Sequence, residues 1–151
     1  MTLLRTLMLL ALIVWIGGII FFAFVLAPTL FSLLSVNQAG NVVSSSLTAL
    51  HWMGILSAAV FLTCSLLYNL SKYARPKPFA VVNVFVMLML ALTLISQFGI
   101  TSRMRTLRPQ IEASIEARAE FDRLHHWSTR SEGGVLLLGL GVVVLTARRF
   151  S

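Results

Sequence analysis

Charge is what this chain has least of. Only 11% of its 151 residues are charged, roughly half the share of a soluble domain, and the charges are segregated. No Asp, Glu, Lys or Arg occurs from Thr6 to Leu50, from Trp52 to Ser71, from Pro78 to Ser102 or from Gly133 to Ala147. Cysteine is nearly absent too. Cys64 stands alone inside an apolar run, so no internal disulfide forms, the redox compartment is unreadable, and the residue reads as a small buried hydrophobe. There is no Walker loop, no Gly-x-Ser-x-Gly and no dinucleotide fingerprint, so no soluble-enzyme chemistry is indicated. A basic stripe interleaved with aromatics is also missing, and the net charge of +7 therefore does not point to nucleic acid. A cleaved signal peptide is not expected either. The first apolar run far outlasts an h-region, and no small-x-small site follows it.

What the chain has instead is apolar length. Hydrophobic residues make up 58% of it, and a span needs about 20 apolar residues to cross a core of roughly 30 Å. The charge-free runs predict an all-α integral membrane four-helix bundle, one domain over residues 1–151, with spans at about 6–27, 47–70, 79–102 and 126–147. A short charged segment separates spans three and four. Pro28 ends or kinks span one, since proline lacks the amide hydrogen and clashes with the preceding turn. The second helix starts near Val42 and is longer than a bilayer needs, so it tilts or projects. Pro78 suits the first turn of span three. Pro109 starts a short surface helix bearing Glu112, Glu116 and Glu120 on one face.

Four spans put both termini on one side. Lys and Arg divide evenly: Arg5, Lys72, Arg75, Lys77, Arg148 and Arg149 on that side, and Arg103, Arg105, Arg108, Arg118, Arg123 and Arg130 on the other. The short turn carrying Lys72, Arg75 and Lys77 has no acid, and short loops orient spans. The expected location is a bacterial inner membrane with both termini cytoplasmic and the bilayer as the main partner. Four spans are few for a transporter protomer, which points to a homodimer.

The same topology gathers a polar constellation at the opposite face. The start of span two, the end of span three and the start of span four meet there. They bring His51, then Gln97, Arg103 and Arg105, then His125, His126 and Glu132. His125 and His126 point about 100° apart on a helix, whereas His125, Thr129 and Glu132 share a face. Glu132 falls about one turn inside the hydrocarbon. An acid at that depth is costly and faces the bundle interior, so it should pair with His51, Arg103 or Arg105. Three readings compete. One is a structural polar cap. Another is a metal or haem site on His51 with His125 or His126, with Met53 and Met104 nearby to suit copper(I). The last is a proton or substrate path through Glu132 and His51. Trp15, some 15 Å below Arg5, sits beside Gly17 and Gly18, which reads as close helix packing or as a pocket wall.

Trp15-x-Gly17-Gly18, Phe21-Phe22 and Ala27-Pro28-x-x-Phe31, with Ala39-Gly40, His51-x-x-Gly54 and Phe121-x-x-Leu124-His125-x-x-Ser128, resemble the motifs of an uncharacterised bacterial four-span family. It carries a domain-of-unknown-function label and has eukaryotic relatives among small four-span membrane proteins. The resemblance implies the four-span fold and carries over His125 and Ser128, then Trp15, Gly18 and Pro28. It does not reach His126 or Glu132, and it implies no reaction. Size and histidine placement also resemble, more faintly, the copper-resistance D-type membrane proteins and haem-associated membrane oxidases. The functional expectation is a membrane protein binding or passing a small ligand or metal cation at its extracytoplasmic face. The alternatives are a haem-binding redox protein and a structural or assembly subunit without ligand.

Overall fold

A computed structural model of the chain describes residues 2–74 and 80–150. Four helical rods are long and apolar enough to cross a membrane: Thr2–Leu33, Val36–Tyr73, Val81–Gln110 and Ile115–Arg148, the last within a helix that continues to Phe150. They are spans one to four. Span one packs against spans two and four, and span three against the same two. The result is an antiparallel up-and-down bundle.

Each span turns one narrow stripe inward. Met8, Leu12, Trp15 and Ile19 are buried in span one, and Val82, Val86, Met89 and Thr93 in span three. Val135, Gly139, Val142 and Thr146 are buried in span four. Every one of these sets advances by four, three and four residues, the knobs-into-holes seam of closely aligned helices. Outside the seam, Leu10, Ile13, Phe24, Leu56, Leu137 and Val144 are exposed. In water that would be an aggregation surface; here it is the face turned to acyl chains.

Small residues set the approach of the rods. A Cβ at Gly54 would run into the Trp15 indole nitrogen and lie 2.9 Å from Cε2, and one at Gly139 would lie 2.9 Å from Ile16 Cγ1. Trp15 is thus a packed wall piece seated on Gly54. The two glycines after it differ: Gly18 faces Met53 and Leu50, whereas Gly17 has open space beside it.

Pro28 does not end span one. Residues Phe22–Leu26 form a π-helical turn, in which the Ala27 amide donates to the Phe22 carbonyl, and α-helix resumes over Ala27–Leu33. The wider turn comes just before the ring that would otherwise disturb the ladder. Span two also starts earlier than Val42. Ser35 caps it, its Oγ accepting from the Gln38 amide, which satisfies one of the free first-turn donors. At the other end Ala74, at φ 51°, closes span two in the left-handed region. The basic turn beyond it, including Pro78, lies outside the described residues.

The charged stretch between spans three and four divides between them. Ser102–Leu107 continues span three, Arg108–Gln110 makes a 3-10 turn, and span four begins at Ile115. Pro109 therefore sits in a reversal, and Glu116 and Glu120 ride on the first turns of span four.

Candidate functional site

All five acids of the chain fall between Glu112 and Glu132, at the end of the bundle where spans two and four begin. The deepest is Glu132. Its Oε1 lies 2.7 Å from His51 Nε2, and His51 Nδ1 lies 2.7 Å from Gln97 Oε1. His51 is 1% exposed and Glu132 16%, so the acid has one side toward solvent-accessible space and the imidazole has none. Three spans supply the triad. Gln97 is carried by a second π-helical turn, Ile95–Thr101.

The hydrogen bonds count the protons. Gln97 Oε1 only accepts, so His51 Nδ1 must donate to it. Nε2 and Glu132 Oε1 then share one proton, held either as imidazolium and carboxylate or as imidazole and carboxylic acid. The pair is neutral as a unit in both forms. That lets it persist at this depth, where an isolated ion would be expensive.

Beside the triad lies a hollow of about 950 Å³, walled by all four spans. Phe22, Phe31, Leu47 and Leu136 give it apolar walls, and Asn41, Arg108, Ser128 and Glu132 are among its polar ones. Span four turns His125, Ser128, Thr129, Glu132 and Gly133 to it, a single helical face. Thr101 also lines the hollow; it is 3% exposed, and its hydroxyl has no hydrogen-bond partner among the described residues.

Span two contributes a polar ladder that the sequence reading missed. Asn37, Asn41, Ser44, Thr48 and His51 follow at separations of four, three, four and three, and so share one face. Asn37 Nδ2 donates to Glu112 at 3.2 Å, Arg108 to Asn41 Oδ1 at 3.0 Å, and Arg105 to Thr48 Oγ1 at 3.0 Å. Arg108 also lies over the Phe121 ring, 5.6 Å from its centroid, and occupies space that any side chain at Gly40 would take. The spacing within span two was the available signal.

The expected site residues disperse. His51 takes Glu132, and the two arginines do not. Arg103 makes a two-pronged pair with Glu120 at 2.9 and 3.2 Å, and Arg105 is held by Thr48. Both arginines are exposed, and Glu120, half-buried on the first turns of span four across the reversal, claims Arg103. His125 lines the hollow, while His126 is exposed on another face, their ring centroids 6.4 Å apart. Ser128 is buried at the hollow, Pro28 lines it, and Gln97 orients His51. Trp15, Gly17 and Gly18 lie deeper, outside its lining.

The geometry lends nothing to a metal or haem site on His51. A ligating imidazole needs one nitrogen lone pair free, and both nitrogens here are engaged by protein groups. Among the described residues no three His, Cys, Asp or Glu side chains group as metal ligands do. Met53 packs against Gly18 in the seam, away from Met104, which lines the hollow.

No curated protein and no solved structure matches the chain, so the likeness to copper-resistance D-type proteins and to eukaryotic four-span proteins gains no support there. A family model does match. It covers residues 10–113, from within span one to the reversal after span three, and so includes His51, Gln97 and Arg108. The chain belongs to the family described as domain of unknown function DUF4149.

Proposed function

We propose that this protein binds a small amphiphilic ligand, drawn from the bilayer, in the hollow beside the His51–Glu132 pair. One observation carries the reading. Glu132 is at once a wall of a ligand-sized hollow and the partner of a buried histidine. Ligand sites are typically concave, of about 300–1,000 Å³, mostly apolar, with a few placed polar groups. The hollow fits that description in size and lining. Oε1 of Glu132 is engaged by His51, and no hydrogen bond to its second oxygen is formed among the described residues, which leaves that oxygen for a ligand hydroxyl or ester. Binding of such a group would bias where the shared proton sits.

In this reading the protein lies in a bacterial inner membrane with both termini cytoplasmic, and the hollow opens at the extracytoplasmic leaflet. Lys and Arg divide evenly between the two faces, so that orientation rests on the short acid-free turn carrying Lys72, Arg75 and Lys77; at the same end Arg5 donates to Tyr68 at 2.9 Å.

Gly133 offers the test. It lines the hollow, and a Cβ there meets nothing within 4 Å. Gly133→Phe should fill the space without disturbing the seam, while Gly17→Phe, at an equally open position outside the hollow, is the control. Native mass spectrometry of detergent-purified protein with added monoolein reads occupancy. Loss of the adduct in Gly133→Phe alone is expected. Equal retention by all three proteins would remove the hollow as the binding site.

A further inference from the structure

The hollow is not charged evenly. Its polar end carries one arginine, Arg108, and two acids, Glu112 and Asp122. Arg108 forms no salt bridge among the described residues. Its hydrogen-bond partner is a neutral amide, its stacking partner a ring, and its niche exists because residue 40 is glycine. A guanidinium so placed is fixed in position with anion-binding capacity to spare, since it has five donors and Asn41 takes one. Glu112 and Asp122 are exposed. Glu112 is steadied by Asn37. From Asn41 to His51 the distance along span two is about 15 Å, so the charged end and the proton-sharing pair stand at opposite ends of the hollow, whose walls between them are mainly apolar with Ser44, Thr101 and Ser128 among the polar exceptions.

We propose that the ligand is a zwitterionic phospholipid-type amphiphile, its phosphate on Arg108 and its primary ammonium between Glu112 and Asp122. The inference rests on the binding role of the hollow and names its substrate class. A net anionic head would satisfy Arg108 but face two carboxylates. A cationic head would satisfy the acids and leave the arginine unpaired. A phosphate and an ammonium a few bonds apart answer both. The acyl chain then runs past Phe22, Phe31 and Leu136. Its ester region approaches the level of Ser128 and Thr101, short of Glu132, and so offers a partner to the unpartnered Thr101 hydroxyl. A primary ammonium donates hydrogen bonds to carboxylates and a quaternary one does not, so ethanolamine heads should be preferred to choline heads.

The experiment is competition for the hollow, read by native mass spectrometry in detergent. The probes are lysophosphatidylethanolamine, lysophosphatidylcholine, lysophosphatidylglycerol and monoolein at equal concentration. Wild type should retain the ethanolamine lipid most, by about tenfold over monoolein, a typical gain for a charge-assisted contact of about 1.4 kcal/mol. Arg108→Gln, which removes the charge and leaves a polar side chain, should bring the phospholipids down to monoolein. Glu112→Gln with Asp122→Asn should invert the order in favour of the glycerol lipid. Glycerophosphoethanolamine, which has the head but no chain, should fail to compete at equal concentration; if it competes as well as the lipid, the ligand is a soluble phosphoester and the lipid assignment is wrong. Unchanged selectivity in Arg108→Gln overturns the headgroup assignment. That outcome stays distinct from failure of the hollow itself, because Gly133→Phe with monoolein reports on the hollow without any charged head.

Discussion

Replacing Glu132 by glutamine and by alanine should give two different proteins, and the difference follows from the proton count. In the native triad His51 Nδ1 donates to Gln97, and Nε2 shares one proton with Glu132. In Glu132→Gln the new amide donates to Nε2 of a neutral imidazole. Both hydrogen bonds survive, and the site is neutral before and after. In Glu132→Ala, Nε2 of an imidazole that is 1% exposed loses its partner. Leaving a buried polar atom unpaired costs about 1–3 kcal/mol. The hollow adjoins the site and admits water, so the lower half of that range applies, about 1–2 kcal/mol. For a chain of this size each kcal/mol moves the midpoint by roughly 2–4 °C. Alanine should therefore lower Tm by several degrees and glutamine by less than about 2 °C. Cys64 makes the assay simple. It is the only cysteine and is 6% exposed, so a fluorogenic maleimide reports unfolding of detergent-solubilised protein as the thiol is unmasked. His51→Ala and the double variant His51→Ala/Glu132→Ala complete a cycle, in which the double variant should cost less than the sum of the singles. If glutamine is as damaging as alanine, the pair needs fixed charges and the shared-proton account is wrong. If neither substitution moves the midpoint and the cycle is additive, the contact is not formed in the protein.

Other perturbations test the frame around the site. Gly54→Ala forces a methyl into the Trp15 indole and should destabilise by about 1–3 kcal/mol, as overpacking does, whereas Gly17→Ala, beside open space, should stay within about 1 kcal/mol of the parent; the same maleimide melt measures both. In a Cys64→Ala background, Ala113→Cys at the exposed reversal between spans three and four should react with an impermeant maleimide added to spheroplasts, and protection until lysis would reverse the proposed orientation. Breaking the exposed Arg103–Glu120 pair by Glu120→Gln should change stability little and less still at high salt, as surface ion pairs do. A loss comparable to Glu132→Ala would mean that pair, not the His51 triad, ties spans three and four.

The rods were legible because a bilayer punishes charge so heavily that its absence marks each span. Their ends were less so. Pro28 reads as a break only if the helix upstream is α; the π-turn at Phe22–Leu26 absorbs it, and nothing in the sequence announces such a turn. The start at Val36 was legible in retrospect, since Ser35-Val36-Asn37-Gln38 has the serine and the glutamine three residues on that mark a capped first turn. Glu132 and His51 came from topology and helix phase, which are strong constraints when only four rods must be placed. Arg103 and Arg105 failed as partners for Glu132 because both are exposed near the surface and each found a nearer neighbour, Glu120 or Thr48. By charge pattern alone, Arg108 is one of six arginines at that face. Its setting depends on a chain reversal that brings it against Gly40 and Asn41, and a reversal cannot be read from charge alone.

The two halves of the bundle therefore obey different rules. From Met8 to Ile19 and from Val135 to Val142 the seam is mainly apolar and closes on Gly54 and Gly139 with nothing to spare, with a buried hydrogen bond from Ser65 to Asn83 at 2.7 Å joining spans two and three at that end. Toward the other end the seam of span two turns polar from His51 to Asn37, and spans one and three each carry a π-turn at that level. An uncharged polar stripe in lipid has to be faced by something. Here three of its residues are faced by Gln97, Arg105 and Arg108, His51 by Glu132 as well, and Ser44 lines an open hollow. Had stability been the only requirement, continuing the apolar seam would have left no buried polar side chains to partner. The hollow, the ladder and the neutral proton-sharing pair at its foot are what the sequence keeps in place of that simpler packing.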